Sequence, residues 1–235
     1  MGDFTYAGAE LDLFAEVRNW KAYWSSLLRP FITGDVLEVG AGIGSNTAYL
    51  DPGSRGRWVC LEPDAQLVER MKDNLAREGS LVRYEVNAGK TESLEPVPQF
   101  DTVVYIDVLE HIENDREELE HAAALLRPGG RVIVLSPAHQ WLFTPFDAAI
   151  GHYRRYNRAQ LRAITPPALR IEKLIDLDAA GLLLSVANRV LLRQSMPTKS
   201  QLQIWDRWVI PVSRVADRCL FHRAGKSIIG IWKRN

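Results

Sequence analysis

The chain has 235 residues, of which 46 % are hydrophobic and 25 % are charged, as is typical of a globular protein with a sizeable core. Its 29 basic residues balance 29 acidic ones, so the overall charge indicates no particular partner. The two cysteines, Cys60 and Cys219, lack metal-ligand spacing and exclude a disulfide framework. Cys60 lies in an apolar run and is expected in the core.

The charge is unevenly distributed along the chain. Residues 189–235 carry ten Lys or Arg and two Asp, a net charge of +8. Such a basic end fits an acidic substrate, an anionic membrane surface, an acidic partner or a merely solvated face. The N-terminus lacks a signal-peptide pattern, Tyr6 stands where a myristoylation motif needs Ser or Thr, and the longest apolar stretch, 179–192, is too short to span a bilayer. We therefore expect a cytoplasmic protein without a transmembrane segment, for which peripheral membrane contact remains open.

The N-terminal region is predicted to be an amphipathic helix over residues 9–28, ended by Pro30. Strands and helices then alternate. Strands are predicted at 35–39, 57–61, 81–86, 101–106 and 131–136. Asp64 is expected to cap one helix and Asn114 or Asp115 the next. The apolar stripe of the first of these helices is Leu67, Val68, Met71 and Leu75, and Gly79 closes it.

The C-terminal part adds a helix capped by Asn157, a sixth strand at 169–177 and a seventh at 227–232. The pattern predicts an α/β fold, a doubly wound, mostly parallel seven-stranded sheet with helices on both faces. About fifty mostly helical residues precede the last strand, which is long for a crossover. They are interpreted as a cap, an oligomer contact or a wall of a substrate pocket. One helical stripe there contains Ile204, Trp205, Trp208, Val212, Val215, Ala216 and Cys219.

The predicted organisation is a single domain in four segments. Residues 1–30 form an N-terminal helical lid, in which Trp20, Tyr23 and Trp24 can close over a ligand. Residues 31–177 form the ligand-binding core, 178–225 a helical insertion, and 226–235 the last strand.

A glycine-rich turn follows the first strand and carries the functional argument. Gly40, Gly42 and Gly44 stand on alternate positions where the strand ends and a helix begins. In open parallel sheets, ligands bind at this edge. A dinucleotide-binding turn would need its third glycine at position 45, which is Ser45. Glu38, two residues before the first glycine, would repel a pyrophosphate but suits the positive charges of a sulfonium and an ammonium group.

The pattern E-x-G-x-G-x-G resembles motif I of class I S-adenosylmethionine (SAM)-dependent methyltransferases. The segments Asp107-Val108-Leu109-Glu110-His111-Ile112 and Leu126-Arg127-Pro128-Gly129-Gly130 resemble further motifs of that family. The similarity covers about residues 30–160. It implies a class I methyltransferase fold and SAM as the cofactor, converted to S-adenosylhomocysteine (SAH).

Cofactor contacts are expected along this edge. Glu62 ends the second strand, where a carboxylate can accept hydrogen bonds from both ribose hydroxyls. The family's usual adenine-binding Asp after strand three is absent. Backbone groups at Ala88 and Gly89, or the Thr91 hydroxyl, are the candidates to replace it. The predicted cofactor-binding residues are Glu38, Gly40, Ala41, Gly42, Gly44, Glu62, Pro63, Ala88, Gly89, Asp107, Val108 and Leu109.

The acceptor class is inferred by elimination. The chain lacks the Asn-Pro-Pro-Tyr and Pro-Cys signatures of nucleic-acid methyltransferases and the Asp-Asn pair of the magnesium-dependent catechol type. A small-molecule acceptor, hydrophobic or anionic, remains, with no nucleic-acid partner and no metal expected. Similar Gly-His-x-Arg-Arg-Tyr segments, here residues 151–156, occur in bacterial small-molecule methyltransferases.

Candidate acceptor residues lie after strand five. His139 and His152 are candidate bases, because oxygen acceptors and protonated amines must lose a proton. The candidate substrate-binding residues are His111, Trp141, Tyr153, Arg154 and Tyr156. Arg154 or Arg155 could hold an anion, or either could instead pair structurally with Asp147.

The predicted function is methyl transfer from SAM to an oxygen or nitrogen of a small molecule. A nicotinamide-dependent oxidoreductase and a non-catalytic SAM-binding module are the alternatives. The identity of the acceptor and the choice between monomer and homodimer stay open.

Overall fold

The computed structural model describes residues 10–51, 53, 56–191 and 198–235. The start of the predicted lid, including the segment compared with a myristoylation motif, lies outside the described residues, as do residues 192–197 of the predicted insertion.

Seven strands form one sheet in the order β3-β2-β1-β4-β5-β7-β6. Strand β7 runs antiparallel to β5 and β6, and the other neighbouring strands pair in parallel. This confirms the predicted mostly parallel seven-stranded sheet. The strands are β1 Val36–Val39, β2 Trp58–Glu62, β3 Glu85–Ala88, β4 Phe100–Ile106, β5 Leu126–Pro137, β6 Leu169–Leu177 and β7 Ser227–Arg234.

Ten α-helices lie within the described ranges, and a π-helical turn over Trp205–Val209 joins the last two. None of the helices described is long and apolar enough to span a membrane. Their bounds are α1 Glu10–Ala15, α2 Asn19–Leu28, α3 Thr47–Leu50, α4 Ala65–Arg77, α5 Asp115–Leu125, α6 Pro145–Ala149, α7 Arg158–Ala163, α8 Ala179–Leu191, α9 Lys199–Ile204 and α10 Ile210–Cys219.

Helices cover both faces of the sheet because successive strand side chains point to opposite sides. On one face, Cys60 and Val104 pack in a cluster with Trp24 and Met71 of α2 and α4. On the other, Val103 packs in a cluster with Leu119 of α5 and Leu161 of α7. The sheet is therefore buried on both sides and offers its carboxyl edge for ligands.

Two predicted N-terminal caps, Asp64 and Asn157, make the expected hydrogen bonds in the structure. The Asp64 carboxylate accepts hydrogen bonds from the backbone N–H groups of Gln66 and Leu67. The Asn157 side chain accepts one from the N–H of Gln160. These caps depend on local chemistry, which a sequence pattern can reveal.

Three predicted elements differ from the structure, and one of them is the fifth strand, which begins at Leu126 and not at Arg131. The predicted helix over 9–28 is two helices, because the Asp206 carboxylate accepts hydrogen bonds from the backbone N–H groups of Arg18, Asn19 and Trp20 and starts a new helix there. The third strand begins at Glu85 and not at Leu81, because Leu81–Arg83 form a 3₁₀ turn.

The helical insertion departs most from its prediction. Of the predicted apolar stripe, only Trp205 is buried, whereas Ile204, Trp208, Val212 and Val215 are exposed. The buried stripe consists of Leu202, Trp205, Asp206, Ile210, Ser213 and Asp217.

Candidate active site

A cavity of about 1340 Å³ opens at the carboxyl ends of β1, β2, β4 and β5. Helix α2 and the π turn contribute Trp20, Trp24 and Trp205 to its wall, so the N-terminal helices lie against it as a lid would. Pockets for a single drug-sized ligand usually measure about 300–1,000 Å³. The cavity therefore has room for a cofactor and a second small molecule together.

The glycine turn forms one wall of this cavity. Gly40, Gly42 and Gly44 have φ angles of +66°, +57° and +78°. A Cβ on Gly40 would lie 2.5 Å from Val108 Cγ2, and one on Gly44 would lie 2.9 Å from Met71 Cγ. Both positions require glycine on steric grounds as well as for their positive φ.

Glu62 connects the glycine turn to the end of β2. Its Oε2 accepts a hydrogen bond from Gly42 N at 2.8 Å, and its Oε1 accepts one from Asp64 N at 3.0 Å. Burial raises the pKa of Glu62, and these two backbone hydrogen bonds oppose that rise. Each carboxylate oxygen keeps further acceptor capacity beside the cavity, as a ribose anchor requires.

Glu38 lies behind the turn and does not line the cavity, which corrects its predicted place. Leu37 and Val39 point to one face of β1, so Glu38 points to the other, between the sheet and its helices. There its Oε2 accepts a hydrogen bond from Trp58 Nε1 at 3.1 Å. Burial raises the pKa of Glu38 to about 7. Its position therefore suits a structural role and not a contact with a ligand.

A buried lysine of α2 faces the turn. Lys21 on α2 lines the cavity, and its Nζ donates to Ser45 O at 3.0 Å. Burial lowers the pKa of Lys21 to about 8, although Asp107 and Asp206 oppose the shift. No sequence motif identified this residue, because its proximity to Ser45 arises only when α2 folds over the sheet edge.

Asp107 follows β4 directly and also lines the cavity, with a φ of +55°. Loss of hydration inside the cavity raises its pKa to about 6, against the lowering effects of His152, Lys226 and Lys21. The residue thus places a weakly acidic carboxyl among three basic groups.

His152 is the candidate base that reaches the cavity. Its Nδ1 lies 3.0 Å from Asp147 Oδ1, and Arg155 donates to both oxygens of the same carboxylate at 2.8 and 2.9 Å. Burial alone would raise the pKa of Asp147, but the hydrogen bonds from His152 and Arg155 hold it well below its usual range. An ionised Asp147 accepts a hydrogen bond from the Nδ1–H group of His152. The ring is then in the tautomer whose Nε2 is free to accept a proton.

The other ring nitrogen of His152 faces a buried glutamate. Nε2 lies 3.9 Å from Glu110 Oε1, an oxygen without a hydrogen-bond partner among the described atoms. Glu110 Oε2 accepts a hydrogen bond from Ser136 Oγ at 2.9 Å, and burial, aided by Asp107, raises the pKa of Glu110. The arrangement gives the cavity an oriented proton acceptor beside a carboxyl oxygen.

His111 completes this cluster, with its ring 4.5 Å from that of His152. Burial, with the nearby His152, lowers the pKa of His111 to about 4, so its ring is neutral near pH 7. Ligand atoms of Glu110, His111 and His152 lie within 4.8 Å of one another, and this is the set in the described chain that could hold a metal ion.

Most of the predicted cofactor residues share this cavity. The structure brings together Gly40, Ala41, Gly42, Glu62, Pro63, Gly89, Asp107 and Val108. Besides Glu38, the predicted residues that do not line the cavity are Gly44, Ala88 and Leu109. The Thr91 hydroxyl, a candidate adenine contact, instead donates to the buried Glu118 carboxylate at 2.8 Å.

The predicted acceptor residues divide in the same way. His111, His152 and Tyr153 line the cavity, whereas His139, Trp141, Arg154 and Tyr156 do not.

Each of these four residues packs or bonds elsewhere, which corrects its predicted place. His139 stacks on the half-exposed Trp141, with ring centroids 5.4 Å apart. Arg154 binds Asp115 at 2.7 Å, and the hydroxyl of the fully buried Tyr156 donates to the same carboxylate. Both candidate anion-binding arginines are thus in internal ion pairs, since Arg155 holds Asp147.

The end of the cavity bordered by the helical insertion is mostly apolar. Trp205, Leu184 and Ile204 line it, together with one cation, Lys226. The Lys226 Nζ lies 4.2 Å from the centroid of the Trp205 ring and 3.7 Å from Asp178 Oδ2. Trp205 and Ile204 belong to the predicted stripe, and Leu184 lies in the apolar stretch 179–192 of the region interpreted as a possible pocket wall.

Comparison with known proteins agrees with this geometry. Residues 37–132 match a family described as a methyltransferase domain. The probable non-canonical nonribosomal peptide synthetase CymA of Salinispora arenicola is 31 % identical over 166 residues, covering 67 % of this chain and 2 % of that protein. The demethylmenaquinone methyltransferase of Tropheryma whipplei is 27 % identical over 170 residues, covering 72 % of this chain and 64 % of the relative.

The chain therefore spans less than two thirds of the length of either relative. Among solved structures, a geranyl diphosphate methyltransferase in complex with SAM superposes with a TM-score of 0.64 at 14 % identity, covering 100 % of this chain and 93 % of that one. At this identity the superposition shows a shared fold. Residues 37–132 thus form a methyltransferase domain, and the strand order agrees with the class I fold that the glycine turn implies.

Proposed function

We propose that this protein transfers a methyl group from SAM to an oxygen or nitrogen atom of a small, largely apolar molecule. The observation that carries the proposal is the single large cavity in which Glu62 and the glycine turn lie at one wall and His152 at another. We also propose that the protein acts in the cytoplasm, as expected from its sequence.

The residues of the glycine turn fit SAM. Gly40 and Gly42 line the cavity and have no side chains, so bare backbone faces a ligand there. Glu62 is already fixed by two backbone hydrogen bonds with lone pairs to spare. Glu62 would hold the ribose hydroxyls. Lys21, an ammonium group beside Ser45 O, would pair with the carboxylate of the methionine part.

When bound, SAM supplies a methyl group already activated by its sulfonium charge. The protein then has to align the acceptor with that carbon and exclude water. Trp20, Trp24 and Trp205 provide apolar walls for this purpose. His152 Nε2 takes the proton of an acceptor hydroxyl or ammonium, because Asp147 holds Nδ1 and stabilises the imidazolium that forms.

The first experiment is calorimetric titration of SAH into the wild type and Glu62→Ala. We expect micromolar binding that weakens at least tenfold, about 1.4 kcal/mol, in the variant. Glu69→Ala on the exposed face of α4 is the matched control and should bind SAH as the wild type does.

A second step screens acceptors by the formation of SAH. Tight binding of a nicotinamide cofactor without SAH binding would replace the proposal with an oxidoreductase. SAH binding without turnover on any acceptor pool would leave a non-catalytic SAM-binding module.

A further inference from the structure

The segment from α9 to α10 presents its apolar side to solvent. Ile204, Trp208, Val212 and Val215 recur at helical spacing, and 65 % of Trp208 and 64 % of Val215 are exposed. The opposite side, which contains Asp206, Ser213 and Asp217, is buried. The buried side also contains the apolar residues Leu202, Trp205 and Ile210, so the segment has one buried and one exposed apolar stripe.

Two buried aspartates explain this orientation. The Asp206 carboxylate accepts hydrogen bonds from the backbone N–H groups at the start of α2. The Asp217 carboxylate accepts hydrogen bonds from those of Asp178 and Ala179 at the start of α8. Each carboxylate pairs with backbone N–H groups that the first turn of a helix leaves without an acceptor. Each also lies at the positive end of that helix's dipole, which favours a negative charge. The segment is thereby held with Asp206 and Asp217 inward, which leaves the stripe Ile204, Trp208, Val212 and Val215 exposed.

The charged residues that this segment itself exposes are all basic, and one of them, Lys199, pairs with Glu16 at 2.7 Å. Residues 198–223 contain Lys199, Arg207, Arg214, Arg218 and Arg223, all exposed, and their only carboxylates are the two buried aspartates. On a helical projection, Arg207, Arg214 and Arg218 border the apolar stripe on one side. Apolar groups beside arginines match a surface that is anionic outside and apolar beneath.

This cationic, apolar surface adjoins the mouth of the cavity. Ile204 belongs to the stripe and also lines the cavity, as does the exposed Leu184 of α8. A molecule bound against the exposed stripe is therefore in contact with residues that also form the apolar end of the cavity.

We infer that the stripe Ile204, Trp208, Val212 and Val215, with its border of arginines, docks on an anionic lipid bilayer. Trp208 enters the interface between headgroups and acyl chains, and the arginines contact the lipid phosphates. A nucleic acid would leave the apolar stripe in water, and the charge border would repel a second copy of the same face. The docked protein then draws an apolar acceptor from the bilayer through the Ile204–Leu184 side of the cavity, a step that rests on the proposed function.

The test is co-sedimentation with phosphatidylcholine vesicles prepared with and without phosphatidylglycerol. We expect the wild type to bind the anionic vesicles, with binding that weakens as salt is raised. Trp208→Gln/Val215→Gln should weaken binding at least tenfold, and Arg207→Gln/Arg214→Gln should do so by a similar factor. The fluorescence of a tryptophan should shift to the blue on binding in the wild type and not in the Trp208 variant.

The controls are Val82→Gln, fully exposed near the opposite edge of the sheet, and Arg116→Gln/Arg162→Gln, exposed on other helices. Both should bind vesicles as the wild type does. SAH titration of every variant separates the two proposals, because none of these substitutions alters the cofactor wall. If SAH fails to bind while vesicles bind, only the proposed function fails.

Binding of the wild type that is equally weak on both kinds of vesicle would overturn the inference. So would a dimer in solution that Trp208→Gln/Val215→Gln dissociates without any vesicle binding, since the occupant would then be a second copy. Salt-sensitive binding to RNA in place of vesicles would also overturn it.

Discussion

The carboxyl edge of the sheet and the helical insertion differ in where they place their carboxylates and their apolar side chains. At the sheet edge, apolar strand residues are buried and polar groups such as Glu62, Asp107 and His152 face the cavity. In the insertion, Asp206 and Asp217 are buried and Trp208 and Val215 face solvent. The difference shows that a buried carboxylate can determine which side of a helix faces inward when it satisfies the N–H groups of another helix.

The largest expected effect concerns the buried side of the insertion. Asp217 accepts hydrogen bonds from Tyr23 Oη and from the N–H groups of Asp178 and Ala179, each at 2.8 Å. Asp217→Ala would leave three buried donors unpaired and should lower the free energy of unfolding by about 3 kcal/mol or more. Urea denaturation measures this. Arg218→Ala, exposed next to it, should change stability by less than about 0.5 kcal/mol. A loss below about 1 kcal/mol for Asp217→Ala would mean that the insertion is not held by this cap.

The next effect concerns the polar side of the cavity. His152→Ala should lower kcat about a hundredfold or more on an acceptor that must lose a proton, with SAH affinity retained. His139→Ala should change kcat less than about twofold, because His139 lies outside the cavity. Equal losses for the two variants would remove His152 from its role as base.

A third prediction contrasts Glu38 with Glu62. Burial raises the pKa of Glu38 from 4.5 to about 7, so between these values the folded protein holds a proton that the unfolded chain releases. The stability that this proton provides is complete below pH 4.5 and is lost as the pH rises through about 7. Glu38→Gln should therefore be more stable than the wild type at pH 8, by no more than about 3 kcal/mol.

Thermal unfolding across this pH range measures the effect, and SAH affinity should stay within about twofold of the wild type. Glu62→Gln should instead weaken SAH binding. If Glu38→Gln weakened SAH binding as much as Glu62→Gln, the distinction between the two carboxylates would be wrong.

A smaller effect is expected at Lys21, where α2 meets the glycine turn. Burial lowers its pKa to about 8, so it loses its charge as the pH rises through that value. Its attraction for the carboxylate of SAH should weaken in the same interval. Lys21→Met should bind SAH about fivefold more weakly at pH 7, a loss near 1 kcal/mol, and lack the decline above pH 8. A wild-type affinity that is constant from pH 7 to pH 9.5 would exclude this role.

The smallest expected effect is that of a metal chelator. The sulfonium already activates the methyl group, so a Lewis acid is not required and methyl transfer should be unchanged by EDTA. Loss of activity that zinc restores would instead indicate a metal centre at Glu110, His111 and His152.

Local signals in the sequence predicted most of the core. The sixth strand agrees at both ends, Leu169 and Leu177, and Asp64 and Asn157 cap the helices that they were expected to cap. These features depend on neighbouring residues, whose chemistry a single sequence displays. The third strand was placed too early because an apolar run over 81–86 does not distinguish a 3₁₀ turn from a strand.

Part of the site could also be predicted from local sequence patterns. Gly40, Gly42 and Glu62 stand at strand ends, and the parallel sheet brings all such ends to one edge. The side to which Glu38 points, and the choice of His152 over His139 at the cavity, depend on contacts with Trp58 and Asp147 from other elements.

Short runs of residues encode the alternating strands and helices, the glycine turn and the resemblance to methyltransferases, so all three can be predicted without a structure. Tertiary packing determines which carboxylates face the cavity, brings Lys21 to the glycine turn and leaves one apolar stripe of the insertion exposed. Those outcomes depend on pairs distant in the chain, such as Asp206 with Trp20 and Asp217 with Tyr23, whose hydrogen bonds exist only once the helices have packed.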